Sequence, residues 1–211
     1  GLRVTFHVAG LLEFASTKVR SDGWAVLDSA RHFIRQKYPD NLNILLNETN
    51  IYLKENQTEK ALENLKLAAK IDETNPTVFF AIGAKYNEIA DDTLRPAEMR
   101  EGAFMNAADA YKKSVELKPD YFDPNYNMGA LYVNKAAALI DIANKLPLSE
   151  QKEYDRLKKE ADEYLSNSLP YLERAQELQP NDKSTLISLK EIYTRLNMLD
   201  KLKVINAKLE E

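Results

Sequence analysis

A chain of 211 residues, 44% of them apolar and 29% charged, has the ordinary make-up of a folded soluble protein. Its net charge of −4 lacks the basic footprint of a nucleic-acid binder, and the absence of cysteine excludes disulfides, thiol catalysis and thiolate metal sites. No apolar run approaches the ~20 residues that a membrane-spanning helix needs.

Taken in order, the chain alternates apolar helical stretches with turn signals. Leu2, Val4 and Phe6 run straight into a first helix carrying Leu11, Phe14 and Ala15. Gly23-Trp24 and then Leu27, Arg31 and Ile34 follow. Pro39-Asp40-Asn41 then ends that stretch, because proline just past a helix stops it and Asp or Asn caps the next. Pro119-Asp120-Tyr121 and Pro180-Asn181-Asp182 repeat the junction, and Asp72-Glu73-Thr74-Asn75-Pro76 does so with its proline displaced. Aligning the junctions places repeat starts at Val8, Leu42, Pro76, Phe122 and Lys183, separated by 34, 34, 46 and 61 residues.

Within this frame the same residue types recur. The second repeat has Leu45, Thr49, Tyr52, Ala61, Leu65 and Ala68, with Glu48 where an apolar residue is expected and Glu73 in place of proline. The third has Phe79, Ile82, Gly83 and Tyr86, then Ala107, Tyr111, Ser114 and Pro119. The fourth has Asn125, Met128, Gly129 and Tyr132, then Ser168, Leu172, Ala175 and Pro180. Over nearly its whole length the chain therefore resembles the tetratricopeptide-repeat family, whose period is about 34 residues. The resemblance implies an all-α, right-handed helical-repeat solenoid. Its repeats cover 8–41, 42–75, 76–121 and 122–182, with a C-terminal helix pair at 183–211. The charged end (Lys208, Glu210, Glu211) suits a polar cap, whereas the apolar start leads us to expect further repeats upstream.

The last two spacings exceed the period by 12 and 27 residues, both between the first and second helix of a repeat. The longer insertion predicts an extended helical hairpin, for no breaker separates Tyr126 from Asn144. Leu146-Pro147-Leu148 ends its first arm, Ser149 caps the return helix, and Pro170 kinks it. Leu139, Ile140 and Ile142 need cover, for which Leu157, Ala161 and Leu165 are suited. The shorter insertion holds Asp91-Asp92-Thr93, with Pro96 at the first turn of a new helix. It is expected to lean on the hairpin through Met99, Phe104 or Met105.

Chemistry is sought with little result. His7 and His32 have no carboxylate-rich pattern nearby. Asp91-Asp92 with Glu98 and Glu101 lacks the glycine turn and alternating oxygens of a calcium loop. Asp155 through Glu163 reads as an exposed helix face with i,i+4 charge pairs. Asn47-Glu48-Thr49 and Asn56-Gln57-Thr58 match the glycosylation acceptor pattern, which is short enough to arise by chance. No catalytic, cofactor or metal residue is assigned, and no enzymatic activity is expected.

The function that the resemblance implies is a scaffold binding an unidentified protein or peptide, through its concave groove and through the hairpin. The alternatives are an accessory module of an enzyme and a self-assembly domain. On the first helix of each repeat, positions 5 and 9 fall away from the face that packs on the second helix. Position 5 is occupied by Leu12, Leu46, Phe80, Tyr126 and Ile187, and position 9 by Ser16, Asn50, Ala84, Ala130 and Glu191. The expected binding set is Leu12, Leu46, Asn50, Phe80, Ala84, Tyr126, Ala130 and Ile187; the alternative reading of the same row is inter-repeat core, since first helices of neighbouring repeats touch. This row lacks the Lys and Arg of a carboxylate clamp and favours a partner with an apolar segment. The resemblance of the Lys-Tyr-Pro-Asp-Asn and Leu-Lys-Pro-Asp-Tyr junctions to those of bacterial family members implies a periplasmic or envelope address, and the lack of cysteine fits that or the cytoplasm equally.

Overall fold

In the computed structural model, which describes residues 33–210, polar side chains set where several helices begin. Asn41 Oδ1 accepts from the Ile44 amide (3.2 Å) ahead of α1 (Leu42–Lys54). Asn75 Oδ1 accepts from Thr77 and Val78 ahead of α3 (Pro76–Asp91), and Pro76 occupies its first turn. Asp182 Oδ2 takes both the amide and the hydroxyl of Thr185, each at 2.7 Å, ahead of α7 (Lys183–Arg195). These are the N-caps that short polar side chains favour. The remaining helices are α2 (Thr58–Ile71), α4 (Ala97–Leu117), α5 (Phe122–Asn144), α6 (Gln151–Leu178) and α8 (Leu199–Glu210). Residues 33–37 are also helical, and no strand occurs among the described residues. The fold is all-α.

The two short turns share a device that the sequence reading does not anticipate. Asn56, between α1 and α2, and Asn197, between α7 and α8, adopt φ of 56° and 55°. Asparagine tolerates this left-handed conformation. It lets the next amide reach back to the helix, Gln57 to Tyr52 O and Met198 to Tyr193 O, both at 2.8 Å.

The helices form two compact units, one through Lys85 and one from Tyr86 onward, the division falling inside α3. In the first unit α1 packs on α2, burying Ile44, Leu45 and Ile51 together with Ala61, Leu62, Leu65 and Ala68. Glu48 is buried in this contact and explains itself through its neighbours. Its Oε2 accepts from Arg35 Nη1 (2.5 Å) and Asn64 Nδ2 (2.8 Å), its Oε1 from the Tyr52 hydroxyl (3.2 Å), and Arg35 also donates to Asn64 Oδ1 (2.8 Å). The departure from the repeat pattern at this position is therefore a closed polar cluster.

In the second unit the α5–α6 pairing is the most extensive contact, and α4 packs on α5, α7 on α6, and α8 on α7. Small residues line the seams: Ala107, Ser114, Ala136, Ala161, Ser168 and Ala175 are fully buried. Tyr111 supplies the bulk beside them. The hairpin is helical in both arms, with Leu139 buried in one cluster with Leu157, Ala161 and Leu165 as expected. Other details differ. Ile142 is half exposed, and Ala143 and Ala136 turn inward in its place. Ser149 lies within a short 3₁₀ turn (Leu148–Glu150) that precedes α6, so it does not cap that helix. Pro96 stands one residue before α4, at the N-cap. Pro170 does lie inside α6, as expected, on its exposed side, and the helix continues through it.

The buried carboxylate and the glycine seam can each be probed by substitution. Removing the carboxylate by Glu48→Ala is expected to cost about 3 kcal/mol in urea unfolding, because Arg35 and Asn64 lose their partner. A triple Arg35→Met, Glu48→Leu, Asn64→Leu variant, which leaves no orphaned amide in the cluster, should return to within about 1 kcal/mol of the parent. A Cβ added at Gly129 would lie 2.7 Å from Leu172 Cδ2 and closer still to its Cγ. Gly129→Ala should therefore destabilise by about 1–2 kcal/mol, overpacking outweighing the helical preference of alanine. The same substitution should cost less when Leu172→Ala has already opened the space.

Candidate functional site

Residues four apart on a helix share a face, which pairs Leu46 with Asn50 on α1, Phe80 with Ala84 on α3 and Tyr126 with Ala130 on α5. In the first unit Leu46, Phe80 and Ala84 are half-buried and Asn50 is exposed. In the second, Tyr126 and Ala130 are half-buried and Ile187 is 49% exposed. Tyr126 stacks on Phe122, with ring centroids 5.9 Å apart and planes 10° from parallel, and its inner edge packs on the buried cluster that includes Leu186 and Leu189. Leu12, with the two histidines, lies outside the described residues. Leu46, Phe80, Ala84, Tyr126 and Ala130 are thus neither plain core nor free surface, while Asn50 and Ile187 are exposed.

A second feature lies where the two insertions meet, wholly within the second unit. Phe104 of α4 meets Tyr132 of α5 (6.2 Å between centroids) and Tyr164 of α6 (5.8 Å, edge on). Tyr132 continues the cluster to Tyr164 and Tyr171. Of the three side chains expected to join the insertions, Phe104 makes the contact, while Met99 and Met105 remain exposed. Burial, aided by the neighbouring Tyr171 and Tyr164, raises the Tyr132 phenol above its ordinary pKa, so it stays a neutral packing group. Lys135 forms an ion pair with Glu101 and lies 5.1 Å from the Phe104 ring centre.

Beside this cluster opens a cavity of about 380 Å3, lined by α4, the outer part of α5 and the end of α3. Asp91, Arg100, Glu101 and Lys135 line it together with Phe104, Leu131, Leu139 and Ile142. Asp91 accepts from Asn87 Nδ2 (3.1 Å), and burial raises its pKa against that hydrogen bond. Sequence reasoning grouped Asp91 and Glu101 with Asp92 and Glu98 but did not anticipate this cavity. Lys135 stands 34 residues from its partner Glu101, and no local spacing connects them.

Other flagged charges are engaged in ordinary pairs. Asp92 accepts from Arg95 Nε (3.1 Å), and Arg156 bridges Glu153 and Glu160 on the outer face of α6. Among the described residues no group of three or more His, Asp or Glu side chains is arranged to hold a metal ion. No helix among them is long and apolar enough to cross a membrane.

No protein-family model and no curated protein sequence matches the chain. Solved structures do. One of MamA aligns over 95% of this chain and 89% of its own, at 16% identity and a TM-score of 0.63. A thermophilic TPR protein in Thermus thermophilus aligns over 98% and 87%, at 16% identity and a TM-score of 0.52. A TPR repeats protein from Bacteroides fragilis aligns over 82% and 78%, at 20% identity and a TM-score of 0.52. The chain thus has the helical-repeat fold of tetratricopeptide-repeat proteins.

Partial burial of the apolar row has a measurable consequence. Phe80→Ser and Tyr126→Ser should each cost about 1–2 kcal/mol in denaturant unfolding, clearly less than the core truncation Leu189→Ala at about 2–5 kcal/mol. Losses equal to that of Leu189→Ala would assign the row to the core.

Proposed function

We propose that this protein is a protein- or peptide-binding scaffold whose apolar row receives a partner's apolar segment. The row comprises Leu46, Asn50, Phe80 and Ala84 in the first unit and Tyr126, Ala130 and Ile187 in the second. We extend it to Leu12, and we treat residues 1–211 as one array of repeats. The observation that carries the proposal is the repeated half-burial of apolar side chains at a position where packing within a repeat does not require them. Apolar side chains held partly open by a rigid helical frame are the usual basis of groove recognition. Small neighbours such as Ala84 and Ala130 leave room beside Phe80 and Tyr126 for a ligand's side chains. The fold is consistent with this use but does not by itself fix a function.

The test is selection of short random peptides, displayed on phage, against the intact chain. The proposal expects selected peptides to be rich in Leu, Ile, Phe or Val, and to bind Tyr126→Ser and Phe80→Ser about tenfold or more weakly at unchanged fold. Binding that ignores both substitutions would defeat the groove assignment. Light scattering showing a stable oligomer that Tyr126→Ser breaks apart would favour self-assembly instead.

A further inference from the structure

The insertions leave an opening that repeat packing does not use. The cavity against α4 and the outer half of α5 is walled by Phe104 and by the buried Leu131 and Leu139, while Ile142 at its edge stays 51% exposed. Its charged groups are unequally satisfied. Lys135 and Glu101 hold each other, and Asp91 receives the Asn87 amide. Arg100 is left over: its Nε is buried and meets no acceptor among the described residues. A buried donor without an acceptor is a standing cost that a ligand can remove. For a guanidinium the best remedy is a carboxylate, which takes Nε and one Nη side by side after a small rotation.

The surroundings indicate the size of that ligand. Ile142 both lines the cavity and stays half exposed, beside the apolar Ala138 and Leu139. A small acid filling the cavity would leave that apolar edge in water, whereas an apolar segment crossing the opening would cover it. We propose that this cleft is a second docking site, which takes a partner protein's apolar segment carrying an aspartate or glutamate. The carboxylate sits on Arg100, and an adjacent apolar side chain sits against Leu139 and Ile142. The site is separate from the apolar row, since neither Tyr126 nor Ile187 lines the cavity.

The experiment selects short random phage-displayed peptides on the intact chain, with counter-selection on Arg100→Gln. The enriched peptides are then synthesised and measured by fluorescence anisotropy. The proposal expects an acidic residue flanked by Leu, Ile or Phe. It expects affinity to fall about tenfold or more on Arg100→Gln, on Ile142→Asp and on changing the peptide's acid to its amide. The Tyr126→Ser chain should bind these peptides unchanged, which separates this site from the groove. Selection yielding no Arg100-dependent peptide, or equal binding of acid and amide, overturns the proposal. Competition by hexanoate as effective as by unlabelled peptide would show a small-acid pocket and overturn it too. Arg100→Leu should leave the melting temperature unchanged or raise it, because it removes an unsatisfied donor. A fall of several degrees would make Arg100 a structural residue and overturn the docking role.

Discussion

Gly129 and Leu172 leave no room between them for a methyl group, and the second unit is arranged around that closeness. Two helices approach this tightly only where one side lacks a side chain. The approach of α5 to α6 brings Met128 and Leu131 into the buried interior. The same seam then continues outward as Ala136, Leu139 and Ala143 against Leu157, Ala161 and Leu165. Small residues on one arm facing leucines on the other keep the arms side by side along their whole length. The insertion is therefore continuous with the repeat core and needs no separate core of its own.

Once the hairpin is rigid, it can support what lies beside it. Tyr132 and Tyr164 offer a surface on which Phe104 docks, and Lys135 ties Glu101 to the same place. At the inner end, Glu173 of α6 accepts from the Tyr193 hydroxyl (2.8 Å) and from Lys201 (2.6 Å), and Arg195 of α7 donates to Asp162 (2.7 Å). These polar contacts link α7 and α8 to the hairpin. Most are partly exposed, so they serve to set register more than to add stability. The cavity at Arg100 lies between the first turns of α4 and the outer part of α5, beside the Phe104 contact.

The framework was readable from local chemistry. Pro-Asp junctions and capping residues mark the helix starts at Leu42, Phe122 and Lys183, and the small-residue positions Ala107, Ser114 and Gly129 are all buried. What escaped the sequence depends on partners distant in the chain. Glu48 looks like a flaw until Arg35 and Asn64 surround it. Ile142 and Ala143 are neighbours about 100° apart on α5, and here Ala143 is buried while Ile142 is half exposed. The left-handed Asn56 and Asn197 belong to short turns that periodicity does not describe. The candidate row was visible as a pattern of positions, whereas the Arg100 cleft exists only through the packing of α4 on α5.

The central claim, that the hairpin is an extension of the repeat core held by close helix approach, is tested most directly by native-state hydrogen exchange on the intact chain. The account predicts that amides of residues 134–143 and 155–165 are protected as strongly as those of Leu186–Ile192, opening together with them. Exchange of the hairpin amides at near-unfolded rates, while Leu186–Ile192 stays protected, would contradict it.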